Sequence, residues 1–142
     1  MGNYKNVLCT TLGVIGSFIS AAFGGWDYAL SSLIVFMAID YFSGLVVAGV
    51  FHTSPKTENG ALESKAGFKG LVRKGMILLV VLVASRLDVL LGLNYIRNAA
   101  CIAFMVNELI SFVENLGLMG VPFPETVKNA IELLQKKGEK HD

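Results

Sequence analysis

Residues 28–51, YALSSLIVFMAIDYFSGLVVAGVF, form a run of 24 in which Asp40 is the single charged side chain. At about 1.5 Å per helical residue, such a run exceeds the roughly 30 Å hydrocarbon core of a bilayer. Three similar runs surround it. Asn6 to Trp26 holds 21 residues without Asp, Glu, Lys, Arg or His. Gly75 to Ile96 holds 22 with Arg86 and Asp88, and Asn98 to Leu118 holds 21 with Glu108 and Glu114. The expected fold is an all-α integral membrane protein, one membrane domain over 1–142, with about four transmembrane helices at 6–26, 28–51, 75–96 and 98–118.

Composition points the same way. Apolar residues make up 54% of the chain and charged ones 16%, well below the roughly 25% of a soluble domain. The long apolar runs follow one another with little polar surface left to cover them. A net charge of +1 argues against nucleic acid as a partner, because phosphate binding needs clustered basic residues in excess. Cys9 and Cys101 fall inside the first and last runs without neighbouring histidines, so neither a metal site nor a disulfide framework is expected, and no cofactor is implied. A cleavable signal peptide ending near Ser20-Ala21-Ala22 is the rival reading of the N-terminus. The run from Val7 to Phe23 is longer than the usual apolar segment of about 7 to 15 residues, however, and only Lys5 precedes it.

The connections set the topology. Gly24-Gly25-Trp26-Asp27 is short enough for a tight hairpin between the first two spans, with Trp26 and Tyr28 suited to an interface. The loop 52–74 carries Lys56, Lys65, Lys69, Arg73 and Lys74 against Glu58 and Glu63, a net charge of +3. The positive-inside rule places it in the cytoplasm, with both termini on the same side. Within it, Lys65, Lys69 and Arg73 recur every four residues beside an apolar stripe of Phe68, Leu71 and Val72, the pattern of a basic interfacial helix. Together with Lys74 these residues either set topology or meet anionic lipid headgroups. After Pro122-Phe123-Pro124, the spacing of Val127, Ala130, Ile131 and Leu134 predicts a short amphipathic helix over 124–137, ended by Gly138, that lies on the membrane or pairs with a copy of itself.

The candidate functional residues lie in the spans. Asp40, Arg86 and Glu108 each stand near the midpoint of their run, so antiparallel packing is expected to bring them to one depth. A central Asp or Arg costs about 2.5 to 3.5 kcal/mol on insertion scales, so such groups pair or face water. One expectation is a structural pair of Asp40 or Glu108 with Arg86. The other is a polar layer at a pore or oligomer seam, since Asn107, Glu108, Ser111, Glu114 and Asn115 share one face of the last span at 100° per residue. Small residues supply candidate packing faces: Gly13, Ser17 and Ala21, then Gly16 and Ser20, in the first span, and Gly44 with Ala48 beside Asp40 in the second. Motifs of hydrolases, zinc proteases, P-loop enzymes and thiol oxidoreductases are absent, so no enzyme is expected.

Taken in order, Phe23-Gly24-Gly25-Trp26-Asp27, Asp40-Tyr41-Phe42-Ser43-Gly44, Ser64-Lys65-Ala66-Gly67-Phe68-Lys69-Gly70-Leu71 with Arg73-Lys74, and Arg97-Asn98 with Asn107-Glu108 and Glu114-Asn115 resemble the phage holins of the toxin secretion/phage lysis family. The resemblance covers about residues 10 to 124. It implies a small protein of the cytoplasmic membrane that forms homo-oligomers and opens lesions through which an endolysin, or a toxin, leaves as cargo. A small ion channel or proton-coupled transporter using Asp40, Arg86 and Glu108 as a relay is a second reading. An antiholin that packs with a holin without opening is a third.

Orientation is open to direct measurement. In a background lacking Cys9 and Cys101, Thr57→Cys and a cysteine beside His141 are expected to resist a membrane-impermeant thiol reagent in intact cells and to react once the cytoplasmic side is exposed. Labelling of Thr57→Cys from outside would reverse the topology.

Overall fold

The computed structural model describes residues 2–140, so His141 lies outside the described residues. Within them the chain is helical throughout: α1 (Gly2–Ala22), α2 (Tyr28–Gly49), α3 (Ser64–Leu91), α4 (Ile96–Leu118) and α5 (Glu125–Glu139). Three of these, α1, α2 and α4, are long and apolar enough to cross a membrane. The last 18 residues of α3 are equally apolar in character but include Lys74, Arg86 and Asp88.

Local chemistry explains the boundaries. Asp27 caps α2 by accepting a hydrogen bond from the Leu30 amide at 3.0 Å. The basic segment and the third apolar run form one helix instead of an interfacial helix followed by a separate span. Gly75 is the only weak helix former at the join, and its cost of about 1 kcal/mol relative to alanine does not break a helix. That helix stops at Leu91, short of Ile96, because Gly92 takes a left-handed conformation (φ 65°) and its amide closes onto the Asp88 and Val89 carbonyls.

The core lies between α2, α3 and α4. Leu30, Leu33 and Met37 of α2 meet Val81 of α3 and Cys101, Ile102, Met105 and Val106 of α4. Large apolar side chains also cover the outside, among them Phe42 at 69% exposure and Leu90 at 77%. Such a surface suits lipid, where association rests on close packing and polar contacts more than on the hydrophobic effect.

α1 departs from the expected hairpin. It meets α3 near the Gly24 turn and makes no contact along α2, and none of its residues is buried. α5 departs from both expected placements. It folds back along α4 of the same chain, with Phe123 edge-on to Phe112 at 6.5 Å between ring centres and Leu134 against the core. The reversal follows from Gly120 in the left-handed region (φ 75°) followed by Pro122 and Pro124. Gly138 lies inside α5, which runs on to Glu139, because its missing side chain makes room for Ile102: a Cβ there would stand 2.9 Å from the Ile102 Cγ2.

Candidate functional site: a buried ion cluster between three helices

The polar centre of the bundle is built around Lys74. Its Nζ donates to Asp40 Oδ2 at 2.8 Å and to Glu108 Oε2, joining α3 to α2 and α4. Asn115 completes the cluster, its Nδ2 donating to Asp40 Oδ1 at 3.2 Å and Ser43 Oγ at 2.8 Å, while Ser43 Oγ donates to the Asp40 carbonyl at 2.9 Å. Gly44 faces the amide, and a Cβ there would make an ordinary contact with Asn115 Nδ2 at 3.8 Å. Asp40, Glu108 and Asn115 are all buried, and among the described residues no buried side-chain polar atom lacks a partner. One lysine facing two carboxylates leaves a formal surplus of one negative charge inside the bundle.

Arg86 does not join this cluster. It is exposed, with no carboxylate at salt-bridge distance among the described residues. The reason is register: Arg86 is twelve positions beyond Lys74 on α3, or about 18 Å along a helix axis. The polar face of α4 is likewise divided. Glu108 and Asn115 turn inward, Ser111 is half-buried, and Asn107 and Glu114 are exposed. Lys65, Lys69 and Arg73 remain exposed on α3. Ala48 is buried, whereas Gly13, Gly16, Ser17 and Ala21 are exposed and Ser20 is half-buried, and a Cβ at Gly13 or Gly16 would meet nothing within 4 Å. The α1 stripe is therefore unused within a single chain.

A second constellation, unassigned from sequence, organises the opposite end. Arg97 grips Asp27 with both terminal nitrogens, at 2.8 and 3.1 Å, and donates to the backbone carbonyls of Phe23 and Gly25. Asp88 caps α4 from α3 by accepting from the Ile96 and Arg97 amides, both at 2.9 Å. Gly24 and Gly25, at φ 82° and 99°, turn the chain around the guanidinium, and a Cβ at Gly24 would fall 2.9 Å from Ser85 Oγ. The hydrogen bond from Arg97 holds the Asp27 carboxyl below its ordinary range, against a smaller opposing effect of burial. The sequence did place Arg97 and Asp27 at the ends of apolar runs; a charge there reads as an interface marker, and nothing local pairs the two. Among the described residues no group of three or more His, Cys, Asp or Glu is arranged to hold a metal.

A model of the bacteriophage holin family matches residues 17–136, from the last turns of α1 into α5. The chain belongs to the bacteriophage holin family. Its relatives include an uncharacterized protein of Listeria monocytogenes, 38% identical over 132 residues and 89% of either chain. An uncharacterized 14.9 kDa protein of Clostridium perfringens is 34% identical over 139 residues, 96% of this chain and 99% of its own. A probable holin of Bacillus phage phi105 is 31% identical over 125 residues, 84% of this chain and 86% of its own. No solved structure matches.

The ion cluster makes unequal demands on its members. Lys74→Met leaves two buried carboxylates without a cation and is expected to destabilise the protein by about 3–5 kcal/mol. Glu108→Gln removes one of the two carboxylates on Lys74 from a buried network and is expected to cost less than Lys74→Met, on the order of 1–3 kcal/mol, whereas Arg86→Gln touches no ion pair at an exposed position and is expected to stay within about 0.5 kcal/mol of the parent. Unfolding of the detergent-solubilised protein checks all three, and equal loss for Lys74→Met and Arg86→Gln would contradict the register described. Asp27 supplies a pH dependence. Its folded pKa lies below its unfolded one, so its contribution is complete above the ordinary carboxylate range and vanishes as pH falls through the lowered value. Asp27→Asn is expected to abolish that acid-side component of the unfolding profile.

Proposed function

We propose that copies of this chain assemble in the cytoplasmic membrane and open water-filled lesions through which an endolysin, or a toxin, leaves the cell. The observation that carries this reading is the placement of α5. Six of its 15 residues are charged, Glu125, Lys128, Glu132, Lys136, Lys137 and Glu139, yet it packs along α4, a helix able to cross a membrane. Gly138 reaches Ile102, the seventh residue of α4, so α5 runs back over much of the depth that α4 spans. Exposing a charge to the bilayer centre costs about 2.5–3.5 kcal/mol on insertion scales, and several together exclude a lipid-facing α5. Its outer face calls for water.

An assembly satisfies every surface. α5 faces the lumen, the exposed apolar faces of α2 and α3 face lipid, and the small-residue stripe of α1 packs against the next copy. α3 crosses as a fourth span through residues 75–91, with the 52–74 loop in the cytoplasm. The ion cluster stays inside each copy as the joint between three spans, while Asn107 and Glu114, exposed on α4, are available at seams. The cargo passes through the lumen and is no stable partner.

A disulfide tests the lining role. In a background lacking Cys9 and Cys101, Ile102→Cys with Gly138→Cys places two Cβ atoms close to 3.8 Å apart, the usual separation across a disulfide. Reconstituted in vesicles that enclose a lysozyme-sized enzyme, the oxidised protein is expected to release it as the reduced one does. Release only after reduction would show that α5 must leave α4 and would remove it from the lining. Leakage of ions without enzyme from either form would favour a channel. Replacing Gly13, Ser17 and Ala21 together by leucine is expected to preserve insertion and to lower crosslinked oligomers severalfold, because leucine suits the bilayer but keeps helices apart.

A further inference from the structure

A cleft of about 610 Å³ opens between α2, α3 and the 50–63 connection, with the ion cluster at its floor. Its room comes from small residues on facing walls. Gly44 and Ala48 line it from α2, and Ala66, Gly67 and Gly70 line it from α3. The Tyr41 hydroxyl donates to the Gly67 carbonyl at 3.2 Å and ties the two walls together beside the gap. A Cβ at Gly67 would stand 3.4 Å from that hydroxyl oxygen, an ordinary contact distance.

The rim is cationic. Lys65, Lys69 and Arg73 descend one face of α3 at intervals of four and all line the cleft, and Lys56 faces them from the connection. All four are exposed, and among the described residues none has a carboxylate at salt-bridge distance, although Glu58 and Glu63 also line the rim. Lys74 differs, since its charge is already engaged by Asp40 and Glu108. Depth adds a further constraint. On the span proposed for residues 75–91, about 25 Å of helix, Arg73 and the lysines before it lie beyond its cytoplasmic end, on the side of the 50–63 connection. An anion entering from that level meets four uncommitted donors around a preformed polar recess.

We infer that this cleft is a binding site for a phosphate-ester anion, held by Lys56, Lys65, Lys69 and Arg73. Two sources present that chemistry at this depth: the headgroup of an anionic phospholipid and a soluble phosphate ester of the cytoplasm. The guanidinium of Arg73 can take two phosphate oxygens at once, and the lysines act as point charges around it. The site stands on the fold of one chain and does not depend on lesion formation.

The test uses the full-length protein in a neutral detergent, with melting temperature read against added dihexanoyl phosphatidylglycerol, dihexanoyl phosphatidylcholine or glycerol 3-phosphate. Saturable stabilisation by phosphatidylglycerol but not phosphatidylcholine is expected if the bilayer supplies the anion. Saturable stabilisation by glycerol 3-phosphate alone supports the same site with a soluble ligand. The variant Lys65→Gln/Lys69→Gln/Arg73→Gln should melt as the parent does without ligand, because these side chains are exposed. Its affinity is expected to fall about fivefold per basic residue, on the order of a hundredfold for three. The matched variant Lys128→Gln/Lys136→Gln/Lys137→Gln, which removes the same charge from α5, should keep the parent affinity. Equal weakening in both variants would reduce the effect to net charge and overturn the site, as would the absence of saturable stabilisation by any anion.

Discussion

Lys74 has to satisfy two buried carboxylates from two different helices, and the arrangement of the bundle depends on that demand. Inside a membrane, hydrophobic burial discriminates poorly between one helix register and another, because lipid tails are as apolar as the helix faces. A cation that must meet Asp40 and Glu108 discriminates sharply. Sliding α3 by one turn, about 5.4 Å, would strand three charges at once. Asn115 and Ser43 extend the same logic by occupying the remaining lone pairs of Asp40. The cluster therefore fixes the register of α3 against α2 and α4.

The opposite end of the bundle is closed by different means. Arg97 stands at the first turn of α4 and collects the α1–α2 turn through Asp27 and two carbonyls, while Asp88 of α3 supplies the cap that Tyr95 does not. Two ionic joints thus bracket an apolar core that runs from Leu30 to Val106. α1 belongs to neither. It is attached through its last turn and the Arg97-bound loop, and its remaining surface is free to find a neighbour.

α5 and the basic cleft place polar surface where a simple bundle of spans would have none. The first depends on a missing side chain at a close approach, Gly138 against Ile102, and the second is lined by small residues, Gly67 and Gly70 beside Tyr41. The first brings charge alongside a spanning helix. The second leaves a recess flanked by Lys56, Lys65, Lys69 and Arg73, none of which has a carboxylate at salt-bridge distance among the described residues.

The sequence by itself determined the helices and the membrane as their solvent. Hydropathy and the proline pair after α4 are local properties, so the apolar runs were legible without coordinates, whereas the cap at Asp27 and the stop at Gly92, short of the expected Ile96, came from the structure. The holin resemblance rested on motifs of the same local kind, and the family match agrees with it. What only the tertiary structure decided was pairing. Arg86 and Lys74 are both cations near apolar residues of one helix, and choosing between them requires the axial offset between α3 and its neighbours, which no local pattern encodes. The return of α5 along α4 is likewise invisible to hydropathy, because an amphipathic stripe records that a partner exists but not which surface it is. Pairing is a property of three-dimensional register, set by the few buried charges whose isolation would cost more than any other misfit in the bundle.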